Sequence, residues 1–159
     1  MRSVVFGWIL LLLFCCSRGD DRGPLKLFGN FEAGMTLARV KELATESGAE
    51  LRLLNDYSPG TGHTYQRWSR SPCQDRVYTG ECQFDFFDAQ LMTVAFLPNE
   101  DGQKYLDLLS NELHIPLDRV VPAPYDRRIS IRATTDYEGR PYAAWTDRQR
   151  QDAHDDWMD

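Results

Sequence analysis

Leu37, Val40, Leu43 and Ala44 recur at the spacing of one helix face, with Arg39, Lys41, Glu42 and Glu46 on the other, so the pattern predicts a helix over 35–47. Thr36 can cap its start through the hydroxyl, and Gly48 supplies the left-handed exit that ends many helices. Ala49, Leu51 and Leu53 then alternate with Glu50 and Arg52, the mark of a half-buried strand. The stretch 55–72 is turn-rich. Its Ser58-Pro59-Gly60-Thr61-Gly62 run excludes regular structure, with room for a short strand over 65–69. A strand over 77–87 places Cys82, Phe84 and Phe86 on one face and Gln83, Asp85 and Phe87 on the other. Asp88-Ala89-Gln90 makes a turn, and 91–97 runs back as a more buried strand.

A second helix opens at Asn99-Glu100-Asp101-Gly102, where acidic side chains meet its positive end. Tyr105, Leu108, Leu109 and Leu113 form its apolar stripe, and Pro116 stops it. Two strands, 128–134 and 140–147, flank Tyr137-Glu138-Gly139 as a hairpin, with Ile129, Ile131 and Ala133 facing away from Arg128, Ser130 and Arg132. The order predicts an α+β fold: a single domain over 25–147, with an antiparallel sheet of five to six strands and two helices packed on one face. Residues 148–159 are polar and acidic and read as a frayed helix or a loose tail.

Ahead of the domain, Arg2 precedes an unbroken apolar run over 4–16. A membrane-crossing helix needs about 20 such residues, so the run is too short to span and has the layout of a secretory signal over 1–16. Residues 17–24 read as a tether. No small-residue cleavage site adjoins the run. Leu13-Phe14-Cys15-Cys16 resembles a bacterial lipoprotein leader, which implies an acyl chain on Cys16; the other reading is a plain signal cut nearby. The chain is acidic, with a net charge of −6, and losing Arg2 with the leader makes it more so. No basic stripe is present, which argues against a nucleic-acid partner. The same charge argues against electrostatic docking on anionic lipid, leaving the acyl chain as the route to a membrane.

Cys73 and Cys82 lie a loop's length apart in the domain, and in an oxidising compartment such a pair predicts a disulfide. Their spacing is neither that of a zinc site nor that of a redox pair. His63, His114 and His154 fall in no metal-protease frame, and no nucleophile elbow or phosphate loop occurs. His154 with Asp152, Asp155, Asp156 and Asp159 reads as a solvated chain end more readily than as a cation site. Ser58 with His63 lacks an orienting third group. Asp85 and Asp88 read as solvated carboxylates at a strand end. No catalytic, cofactor or metal residue is therefore assigned.

Phe31-Glu32-Ala33-Gly34-Met35-Thr36 resembles the Gly-Met-Thr helix opening of small exported bacterial domains, the outer-membrane-assembly lipoproteins and the β-lactamase-inhibitor-protein fold. That resemblance implies a scaffold or binding role. The residues themselves point to 56–70 as a contact loop, with Tyr57, Tyr65, Trp68 and Arg70 as candidate anchors, because aromatic and guanidinium groups carry much interface energy. The alternative is that Tyr65 and Trp68 are core residues of a strand. The functional expectation is an exported, non-enzymatic binding or scaffold domain with a protein partner and no cofactor. An enzyme-inhibitor-like domain and a hydrolase with an unfamiliar site stand as alternatives.

Overall fold

The computed structural model describes residues 23–60 and 62–159. The leader, the candidate acylation position Cys16 and Thr61 lie outside the described residues. The chain opens with a ribbon of β1 (Lys26–Phe28) and β2 (Phe31–Glu32), followed by helix α1 (Leu37–Glu46). Four strands come next: β3 (Leu51–Tyr57), β4 (Tyr65–Asp75), β5 (Tyr78–Phe87) and β6 (Gln90–Pro98). Helix α2 (Gly102–Leu113), strands β7 (Val120–Pro122), β8 (Ile129–Thr135) and β9 (Pro141–Asp147), and helix α3 (Arg148–Met158) complete the chain. One antiparallel sheet of seven strands runs in the order β3-β4-β5-β6-β9-β8-β7. Sequential hairpins build each half, and the β6–β9 pairing joins them, with Val94 opposite Trp145 and Ala95 opposite Ala144.

Alternation along each strand sends one set of side chains to each face. Phe84, Val94, Trp145 and Ile131 align across β5, β6, β9 and β8 on the inner face. They form the core with Val40 of α1, Tyr105, Leu106 and Leu109 of α2, and Leu27 and Phe31 of the ribbon. Phe28 meets Phe96 and Trp145, and Phe31 meets the Phe84 ring edge-on. Thr36 caps α1 by accepting from the Arg39 N–H. Gly34 takes φ +79° ahead of that cap, a backbone region that disfavours any side chain. Cys73 and Cys82 are bonded between β4 and β5, with Cα atoms 5.6 Å apart, as their spacing predicts.

The expected α+β fold, five to six strands with two helices on one face, is overturned: the described residues form nine strands and three short helices, and the main sheet has seven strands. The β1–β2 ribbon supplies two strands outside the main sheet, and three further features mark the departure. Strand β3 continues through Asn55, Asp56 and Tyr57, which pair with Arg67, Gln66 and Tyr65. Those residues are exposed, so backbone pairing holds them there and no apolar alternation announces it. Strand β7 is three residues long, pairs only with β8 and ends on Pro122, a blunted edge of the kind proline produces. Residues 148–158 form a helix on the sheet face opposite α1 and α2. Asp147 caps it, accepting from the Gln149 and Arg150 N–H groups.

Candidate functional site

The outer face of the sheet carries the residues that alternate with the core. One row crosses the strands as Asn55, Arg67, Asp85, Thr93, Thr146 and Ser130. A second crosses them as Ser69, Gln83, Ala95, Ala144 and Arg132. Over these rows lies a groove of about 950 Å³. Helix α3 walls one end with Arg148, Gln151, Asp152 and Asp155, and the β8–β9 turn walls the other with Asp136, Tyr137 and Arg140. The floor carries its smallest side chains at Thr93, Ala95, Ala144 and Thr146.

Several polar groups on this face are held by one another. The Arg67 guanidinium donates to both oxygens of Asp85, through Nε at 2.6 Å and Nη2 at 2.8 Å. A fork of this kind fixes both planes. Asp85 is only 8% exposed, and its hydrogen bond raises the Arg67 pKa even against the burial that would lower it. Burial, followed by the Asp85 charge, likewise pushes the neighbouring Tyr65 phenol well above its ordinary value. Thr93 Oγ1 donates to Thr146 Oγ1 at 3.1 Å across β6 and β9, and Gln83 donates to Glu81. Arg67, Arg132, Arg140 and Arg148 are matched in number by Asp85, Asp136, Asp152 and Asp155 around the groove. In a chain of net charge −6 this surface is locally balanced.

Asp136, at the turn, accepts from the Arg140 guanidinium at 2.8 Å and from the backbone N–H groups of Glu138 and Arg140. Desolvation would raise its pKa, but these hydrogen bonds outweigh it and the net direction is downward. Its stabilising contribution is therefore present above the ordinary aspartate pKa and is lost as pH falls through the lowered folded value. Carbon-detected NMR titration of the Asp136 carboxyl should place its midpoint below that of an unstructured aspartate; a midpoint at or above it would show that the turn does not hold the carboxylate.

Where α3 ends, six rings meet. Trp157 packs against Tyr57, His63, Phe87 and His154, and His154 also meets Tyr65 and Phe87, with centroids 5.2–5.9 Å apart. His63 stacks on Phe87, and its Nδ1 lies 2.8 Å from Asp88. The candidate anchors are thus divided. Tyr57 and Tyr65 belong to this cluster on the outer face. Trp68 and Arg70 are on the inner face of β4, where Trp68 packs on the core beneath Lys41 Nζ, 4.5 Å from the ring centre. Arg70 lies opposite Cys82 with Nε buried and without a hydrogen-bond partner among the described residues. Desolvation lowers its pKa. Residues 56–70 are the ends of a hairpin and its turn, and its four named residues present no common surface. Trp68→Ala should therefore lower stability by about 1–2 kcal/mol, read as an earlier urea midpoint; an unchanged midpoint would remove Trp68 from the framework.

The other sequence candidates are drawn apart. Ser58 Oγ donates to Asp56 while His63 is engaged by Asp88, so the two form no nucleophile pair. Asp85 belongs to Arg67, and Asp88 to His63 and the Thr64 N–H, so the two carboxylates share no proton. His154 pairs with Asp155, and among the described residues no three His, Cys, Asp or Glu side chains gather as metal ligands. The groove residues of β8 and β9 were not singled out from sequence, although the alternation of Arg128, Ser130 and Arg132 with Ile129 and Ile131 marked that polar face.

Comparison with known proteins found no matching family model, no matching curated protein and no matching solved structure.

Proposed function

We infer that this chain is an exported, non-enzymatic binding domain whose recognition surface is the groove on the outer face of the sheet. The observation that carries the reading is unequal cover of the two faces, with α3 over only one end of the outer one. Helices α1 and α2 and the β1–β2 ribbon all contribute to the inner core, while the outer face keeps a groove walled at both ends. Antiparallel sheets often leave one face to water. Here the floor also carries polar groups fixed in advance, the Arg67–Asp85 fork and the Thr93–Thr146 bond, which lowers the ordering cost of association. Export is supported by the short apolar leader and by the Cys73–Cys82 bridge, since disulfides persist in oxidising compartments. Among the described residues no helix is long and apolar enough to cross a membrane.

Affinity capture from the envelope fraction of the native host tests the surface. Ala144→Arg raises a long cation from the groove floor. Arg39→Glu changes an exposed position on α1, on the far side of the sheet. The expected result is a specific ligand retained by the wild type and by Arg39→Glu and lost by Ala144→Arg, with matching far-UV spectra. Equal capture by all three proteins would place recognition elsewhere.

A further inference from the structure

We propose that the groove takes a neutral, hydroxyl-rich chain, an oligosaccharide, lying across β5, β6, β9 and β8. This rests on the reading of the outer face as the binding surface and adds the class of ligand. Charge is the first argument. Arginines and aspartates lining the groove are equal in number, so the lining carries no excess of either sign with which to select a polyanion or a polycation. Hydrogen-bonding character is the second. A sugar hydroxyl donates and accepts at once and is best met by a donor and an acceptor side by side. The Arg67–Asp85 fork presents that combination, and the Thr93–Thr146 pair repeats it two strands along. Both are held by internal bonds, so little order is lost when a ligand arrives.

Shape is the third argument. The volume, about 950 Å³, is near the top of the range for small-molecule sites. A protein partner needs a contact of roughly 800 Å² on its own side, and the walls at α3 and the β8–β9 turn obstruct a flat approach to a floor of Ala95 and Ala144. A chain of linked rings lying across the strands needs no such flat approach. The fourth is Tyr137, which stands 94% exposed at the groove wall. An aromatic face held out in water is a ready platform for the apolar C–H face of a sugar ring.

Calorimetric titration of the disulfide-bonded protein with hexa-N-acetylchitohexaose, maltohexaose, cellohexaose and xylohexaose, beside polygalacturonate as an anionic control, tests the proposal. Expected is saturable binding of at least one neutral hexasaccharide with little salt dependence. Tyr137→Ala and Ala144→Arg should each weaken it by about tenfold or more at an unchanged unfolding midpoint. No binding of the neutral sugars at millimolar concentration overturns it, as does stronger, salt-sensitive binding of polygalacturonate. If the sugars fail while Ala144→Arg still abolishes capture from the envelope fraction, the ligand class is wrong and the outer-face reading stands. If both experiments fail, both readings fall.

Discussion

Ending the chain at Asp147 should destabilise the domain by on the order of 4 kcal/mol and create a surface that binds apolar dyes. Helix α3 has no fully buried residue, so the size of this effect has to come from its two ends. At the first, Asp147 is 3% exposed and accepts from the Gln149 and Arg150 N–H groups while its carboxylate pairs with the Arg150 side chain. Removing the helix leaves a buried carboxylate without these partners. Arg150 also donates to Gln90 Oε1, which ties the start of α3 to β6. At the other end, Trp157 and His154 cover Phe87. Trp157→Ala alone should cost about 2 kcal/mol, and the dye should bind that variant too. Urea denaturation of the full chain, the truncated chain and Trp157→Ala separates the two ends. A truncated protein that unfolds at the wild-type midpoint would show α3 to be an ornament on the sheet.

How much of this was legible in the chain depends on what holds each element. Helix α1 was readable because Leu37, Val40, Leu43 and Ala44 give it an apolar face and Thr36 a cap. Helix α3 was half readable, as one of two readings of a polar chain end, because its anchoring is a capping carboxylate and two rings at its far end, and only Ala153, Trp157 and Met158 are apolar in it. Strand β3 was cut short at Leu53 for a related reason: Asn55–Tyr57 add nothing to the inner core and stay in the sheet by pairing with β4. Periodicity divides the candidate anchors between the two faces of the sheet. Tyr65 and Trp68 are three positions apart, and in a strand an odd separation sends them to opposite faces. Reading that segment as a loop concealed the parity. The groove itself lies one step beyond sequence. The polar strip of β8 was visible in Arg128, Ser130 and Arg132, and that of β5 in Gln83 and Asp85. Only the β6–β9 pairing, between strands separated by α2, β7 and β8, sets those strips side by side.

Loss of the Cys73–Cys82 bridge should lower stability by about 2–4 kcal/mol while leaving the groove intact. The bond closes a loop of sequence separation 9 around the β4–β5 turn, so reduction returns conformational freedom to the unfolded chain more than it alters the folded one. Both cysteines are buried and belong to the core cluster. A serine at Cys82 would add a buried hydroxyl to the effect, and so the comparison is threefold: wild type, wild type with reductant, and Cys73→Ala with Cys82→Ala. The reduced wild type and the double alanine variant should lose similar stability. Cys82 lies opposite Arg70 and Phe96, on the side of the sheet that faces α2, whereas Gln83 and Asp85 turn outward. Ligand affinity at the outer face should therefore be unchanged in every form at temperatures where the domain stays folded. Free thiols on protein recovered from the native host would refute the bridge. A loss of affinity that tracked reduction would mean that the two faces of the sheet are coupled and that the bridge belongs to the groove as well as to the framework.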